Sequence, residues 1–170
     1  VLFWVYGGAF IESYTGTGLF EGEDLLSEQN IVLVTVNHRE GLLGSMNLES
    51  LDLTGEYRYS NNLYILDLIE ALRWVNKNIE SFGGDPKCIT AYGHSSGSCA
   101  VSCLTVSYEG RNLFQRSILQ SSFYACANRT SLDTARKVGE KVIELAGAKN
   151  MDDMLALSPE RLIEIQKQLF

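Results

Sequence analysis

Gly93-His94-Ser95-Ser96-Gly97 is the part of this chain with the clearest capacity for chemistry. An apolar run, Cys88 to Tyr92, leads into it, and a helical pattern from Ser96 to about Ser107 leads out. A turn this tight between a strand and a helix holds its middle residue in a strained backbone conformation, and flanking side chains would crowd it. Gly93 and Gly97 meet that demand. The Ser95 hydroxyl is then exposed at the carboxyl end of a strand, where it can attack an acyl carbon. The helix that follows aims its amino end, with free N–H groups and a positive dipole, at developing negative charge. The Ser96 N–H is therefore an expected oxyanion donor. The strand before and the helix after distinguish this segment from an ordinary Gly/Ser turn.

A second glycine segment matches the first. Tyr6-Gly7-Gly8-Ala9-Phe10 follows the apolar run Val1 to Tyr6. Read alone, paired glycines after a strand make a turn. Upstream of an elbow, they let the backbone approach a ligand and turn its N–H groups inward. Each such donor contributes about 3 kcal/mol to lowering an acyl-transfer barrier. Tyr6, Phe10 and Tyr14 are candidates to line the acyl or leaving-group side.

A serine hydroxyl needs a base within hydrogen-bond reach. The chain has two histidines, His38 and His94. His94 adjoins Ser95, but neighbours at an elbow point away from each other, so packing or support of the site is the expected role. His38 ends the second apolar run and reads as structural. Asp67 and Asp85 precede Ser95, whereas elbow enzymes run in the order Ser, acid, His. Both read as turn or helix-positioning residues. No base for Ser95 is therefore visible, and these 170 residues alone are expected to be catalytically inactive.

The elements that must position these groups alternate. Apolar runs at Val1 to Tyr6, Ile31 to Val36 and Cys88 to Tyr92, with a weaker one at Ser117 to Ser121, read as strands. Continuous rather than alternating apolar strands fit a parallel sheet buried on both faces. Ile65, Leu68, Ile69, Leu72, Val75, Ile79 and Phe82 recur at helical spacing. Asn61 or Asn62 can cap that helix, and Gly83-Gly84-Asp85-Pro86 ends it. Ala135, Val138, Val142, Leu145 and Ala146 make another helix, capped by Thr130 or Ser131 and closed by Gly147. Ser158-Pro159-Glu160 starts a further one. The segments from Ala9 to Glu28 and Gly41 to Ser60 read as long loops of the kind that surround active sites. The fold class is α/β, a mostly parallel sheet with flanking helices.

Composition narrows the function. The net charge is −7 and no Lys/Arg cluster occurs, which argues against a nucleic-acid partner. No apolar run is long enough for a membrane span. The irregular spacing of Cys88, Cys99, Cys103 and Cys126 argues against zinc, and Cys88, Cys99 and Cys103 read as small core residues. Trp4 and Trp74 read as core aromatics. Asn128-Arg129-Thr130 is an N-glycosylation sequon, with Asn128 as acceptor. The chain opens at Val1 already inside a strand pattern, so it reads as residues 1–170 of an internal fragment of a longer single domain.

The ordered segments resemble the type B carboxylesterases, the group that includes the cholinesterases. The resemblance rests on FWVYGGAF (Phe3 to Phe10), VTVNHREGLLG (Val34 to Gly44), LDLIEALRWVNKNIESFGGDP (Leu66 to Pro86), ITAYGHSSGS (Ile89 to Ser98) and LFQRSILQSS (Leu113 to Ser122). It implies a partial α/β-hydrolase fold and a serine carboxylic ester hydrolase working through an acyl-enzyme on small-molecule esters. By position it places the nucleophile on Ser95 and the oxyanion donors on Gly8, Ala9 and Ser96. It puts the triad acid and His beyond Phe170, and it implies no metal or organic cofactor. With the sequon, it implies secretion or residence in the endoplasmic reticulum lumen. Some members of the group keep the fold as adhesion or binding proteins without catalysis, typically after losing the serine. The chain departs from the group's pattern at His94 (usually Glu), His38 (Tyr), Tyr64 (Gly) and Leu68 (Gln). These departures mark a divergent branch.

Overall fold

The computed structural model describes residues 1–16, 22–122 and 130–169. The chain divides into two compact units, Val1–His38 with Ile65–Asn128, and Arg39–Tyr64 with Arg129–Phe170.

The first unit is built on a four-stranded parallel sheet of β1 (Leu2–Val5), β2 (Leu33–Thr35), β3 (Thr90–His94) and β4 (Arg116–Gln120), in the order β2-β1-β3-β4. Leu2 lies beside Leu33 on one side and Thr90 on the other, and Thr90 beside Arg116. The two inner strands bury Phe3, Val5 and Ala91, as expected of continuous apolar strands. β4 differs. It is exposed along its whole length, because among the described residues it is an edge strand paired only with β3.

Helices flank the sheet. A short helix, α1 (Glu23–Glu28), precedes β2, within one of the segments read as a loop. A second helix, α2 (Gly41–Gly44), belongs to the other unit. The long helix α3 (Leu63–Asn78) buries Ile65, Leu68, Ile69, Leu72 and Val75. Asn61 and Asn62 do not act as simple caps. They lie inside a 3-10 turn, Ser60–Asn62, that runs directly into α3. A second 3-10 turn, Ile79–Phe82, follows α3, and Gly83 closes it at φ 80°. At three residues per turn, the 3-10 segment rotates Phe82 off the apolar stripe. Phe82 is accordingly 61% exposed rather than core. Trp74 is also a correction, at 51% exposed. It is one residue before Val75 and therefore turned well away from the stripe of Leu68, Leu72 and Val75. Its ring meets Phe82 at 5.8 Å instead.

α4 (Ser96–Val106) packs on β1, β3 and β4. Its buried side carries small and apolar residues, among them Gly97, Ala100, Val101 and Leu104. Only one of the three cysteines expected in the core is there. Cys99 is buried, and it is disulfide-bonded. Cys103 falls outside the α4 stripe and is exposed. Cys88 precedes β3, is exposed, and accepts a hydrogen bond from Arg116 Nη1 at 3.2 Å.

The second unit has its own core of Leu42, Leu48, Val142, Met154 and Ile165. These come from α2 and the loop after it, and from α5 (Leu132–Ala146), α6 (Met151–Leu155) and α7 (Pro159–Leu169). Between the two possible caps of α5 the structure selects Ser131, whose hydroxyl accepts the Thr134 N–H at 3.1 Å. Ser158 caps α7 by accepting the Arg161 N–H at 3.2 Å. Among the described residues no helix is long and apolar enough to cross a membrane.

Candidate active site

Ser95 joins β3 to α4 at φ 53°, ψ −123°, a conformation unfavourable for a residue with a side chain. The flanking glycines allow it. A Cβ on Gly93 would lie 2.4 Å from the Gly97 carbonyl oxygen, and one on Gly97 would lie 2.2 Å from that of Val5. The strained peptide is tied on both sides. The Ser95 N–H donates to the Gln120 carbonyl at 2.9 Å, at the end of β4. The Ser95 carbonyl accepts the N–H groups of Ser98 and Cys99 at 3.0 and 3.2 Å, and the Ser98 hydroxyl at 2.6 Å. β4 and α4 together therefore hold the conformation that β3 delivers.

The Gly7-Gly8 loop lies against this turn. A Cβ on Gly7 would be 2.8 Å from the Ser95 Cβ, so only a glycine lets the loop come this close. A Cβ on Gly8 would meet the Glu12 carbonyl oxygen at 2.1 Å. The loop then turns through Ala9 and Phe10, both with positive φ (56° and 62°). Two consecutive left-handed residues that are not glycine cost about 1–2 kcal/mol each. The Gly8 carbonyl accepts the N–H groups of Ile11 and Glu12 at 2.9 and 3.3 Å, which holds the turn in place. Among the described residues, the Ala9 and Ser96 N–H groups have no hydrogen-bond acceptor.

The Gly8 N–H does have one. It donates to the Ser96 hydroxyl at 3.0 Å, across 88 residues of chain. Sequence reading assigned Ser96 a role through its backbone and none through its side chain.

The other candidates take varied places. Tyr6 is buried and stacks on His38 at 4.6 Å, with its hydroxyl bonded to the His38 backbone, so both serve the packing beneath the loop. Phe10 is half-buried and Tyr14 exposed. His94 is exposed, and its Nδ1 would lie 3.3 Å from a Cβ on Gly7. Among the described residues, no side chain is hydrogen-bonded to the Ser95 hydroxyl. Asp67 lies within α3, and Asp85 accepts the Lys87 N–H at 2.8 Å in the turn before β3. Asn128 and Cys126 lie outside the described residues. No group of three or more His, Cys, Asp or Glu able to hold a metal occurs among the described residues.

The structure thus sets a strained serine between two sterically required glycines and against a glycine loop. The model of the carboxylesterase family matches residues 1–168. The chain belongs to the carboxylesterase family. It is 36% identical to carboxylesterase 4A of Bos taurus over 175 residues, covering 99% of this chain and 30% of that protein. It is 37% identical to neuroligin-3 of Homo sapiens over 173 residues, covering 96% of this chain and 19% of that protein. Among solved structures, the carboxylesterase EST55 of Geobacillus stearothermophilus superposes with a TM-score of 0.91 at 36% identity, covering 99% of this chain and 36% of that one. The chain thus spans about a third or less of the length of these relatives. The parallel sheet with flanking helices is part of the α/β-hydrolase fold of this family.

Proposed function

We propose that the protein to which this chain belongs hydrolyses carboxylic esters by acyl transfer through Ser95, on small-molecule substrates. The observation that carries the reading is the Ser95 backbone, held at φ 53° against a glycine loop that only Gly7 allows to come so close. Ser95 Oγ attacks the ester carbonyl and gives its proton to a histidine. The carbonyl oxygen becomes an oxyanion held by the N–H groups of Gly8, Ala9 and Ser96. Collapse expels the alcohol, and water attacks acyl-Ser95 to release the acid. The proposal assigns that histidine and its acidic partner to residues other than His38, Asp67 and Asp85. The packing of His38 against Tyr6 supports this assignment.

Covalent labelling by a fluorophosphonate tests the reading. The whole protein is expected to carry the label on the Ser95 peptide and to lose it in Ser95→Ala. Residues 1–170 alone are expected to show no ester turnover, and a burst of acylation from them would refute the placement of the base.

The rival reading is a binding protein of the same fold. The chain's similarity to neuroligin-3, a relative not named as an esterase, favours it. The retained Ser95 and both elbow glycines favour the enzyme. A whole protein that binds partners and never labels at Ser95 decides for the rival. For location, the disulfide at Cys99 supports an oxidising compartment, the secretory route or outside the cell. Use of Asn128 as a glycan acceptor belongs to the same proposal, and loss of mass on treatment with an N-glycosidase tests it.

A further inference from the structure

We propose that the Ser96 hydroxyl occupies the Gly8 donor of the oxyanion hole in the resting protein, and so acts as a positioning residue that holds the turnover rate down. The inference rests on the reading that Ser95 is the acylated nucleophile.

An oxyanion hole works because its N–H groups point at the reacting oxygen and have nothing else to bond. Of the three backbone donors here, two are free among the described residues and the third is not. The Gly8 N–H is 3.0 Å from Ser96 Oγ. Ser96 is 2% exposed, so its hydroxyl oxygen has little access to water and relies on this bond for an acceptor role. The bond also crosses from the loop to the first residue of α4, which clamps the loop onto the elbow.

A neutral ester carbonyl is a weak acceptor and does not displace a well-made hydrogen bond. An oxyanion is a strong one and does. The exchange therefore takes place between the bound substrate and the transition state. Its cost is the bond from Gly8 to the hydroxyl, which appears in kcat and not in KM. Removing the hydroxyl frees the Gly8 N–H in advance. One neutral hydrogen bond corresponds to about a fivefold change in rate.

The test uses the whole protein, with p-nitrophenyl acetate as substrate and Ser96→Ala and Ser96→Thr as variants. Ser96→Ala is expected to raise kcat about fivefold with KM within about twofold of the parent, and Ser96→Thr, which keeps the hydroxyl, to restore the parent rate. Amide hydrogen exchange provides a readout independent of turnover. The Gly8 N–H is expected to exchange more slowly than the Ala9 N–H in the parent, and to lose that protection in Ser96→Ala. The proposal is overturned by a Gly8 amide no better protected than that of Ala9. It is equally overturned by a Ser96→Ala protein that labels at Ser95 with kcat unchanged or lowered, since a fall would make the hydroxyl a donor to the oxyanion. A parent protein that never labels at Ser95 overturns the esterase reading and this proposal with it. That outcome differs visibly from a labelled enzyme whose kcat ignores Ser96.

Discussion

Gly97→Ala is the sharpest test of the elbow, because the added atom has nowhere to go. A Cβ at that position would lie 2.2 Å from the Val5 carbonyl oxygen and 2.3 Å from that of Tyr6. Ordinary carbon–oxygen contacts settle at about 3.3 Å or more, so the variant must open a gap of about 1 Å between α4 and β1. Both obstructing atoms are backbone, one at the end of the inner strand β1 and one in the residue after it, and no side chain can rotate to relieve them. Overpacking of this kind costs about 1–3 kcal/mol of stability. The functional cost is separate. The glycine loop follows β1 and α4 carries the Ser96 N–H, so on the proposed function the same gap pulls the two halves of the proposed oxyanion hole apart. A misplacement of about 1 Å lowers turnover on the order of 100-fold. The assay is steady-state ester hydrolysis alongside urea denaturation, with fluorophosphonate labelling to count intact sites. A Gly97→Ala protein with parental stability and parental kcat would refute the steric account of the elbow. A stable variant with lost turnover would support it most directly.

Three further outcomes follow from the second unit. Glu49 is held below the ordinary carboxylate range by the hydrogen bonds of the Arg136 guanidinium and then by its charge. The unfolded chain binds that proton more readily, so this contribution to stability is full above the ordinary glutamate range and is lost as pH falls through the depressed folded value. Glu49→Gln is expected to flatten the acid side of a melting-temperature profile, and parallel profiles for parent and variant would count against it. Ile165→Ala removes a fully buried side chain from the core of Leu42, Leu48, Val142 and Met154, with an expected loss of about 2–5 kcal/mol by denaturant titration. Ser131→Ala removes the α5 cap and is expected to lose about 1 kcal/mol in the same assay.

Strands were legible where the residues faced a core on both sides. Val1 to Tyr6 and Cys88 to Tyr92 are continuous apolar runs, and β1 and β3 are the inner strands that such runs build. The cap Ser158 and the closing glycine Gly147 were legible, and the α5 cap was narrowed to Thr130 or Ser131, because each acts on its own helix, within a few residues. What failed was the fate of single residues next to a stripe. Trp74, Cys88 and Cys103 are apolar or soft enough to be core, and residue type alone places them inside. Their exposure depends on a rotation of about 100° per residue along a helix or, for Cys88, on a place two positions before β3 begins. A 3-10 turn at Ile79–Phe82 had the same effect on Phe82, with no signal in its apolar spacing.

The candidate site divides along the same line. Glycines at Gly93 and Gly97 could be read because their reason is steric and local to one turn. The glycine loop could be read as a close approach, yet its conformation could not. Sequence preference puts positive φ on glycine, and Gly8 has it at 156° as well as needing clearance from Glu12, but the loop also places it on Ala9 and Phe10. Strain of this kind persists only where the surroundings over-determine it. Here they do so through the Ile11 and Glu12 N–H groups on the Gly8 carbonyl and the Ser96 hydroxyl on the Gly8 N–H. That last bond joins residues 88 positions apart, which no local pattern encodes. The N–H and the carbonyl of one residue, Gly8, are thus committed to partners distant from each other in the chain. The part of the site that controls where its donors point is therefore the part that only the folded chain reveals.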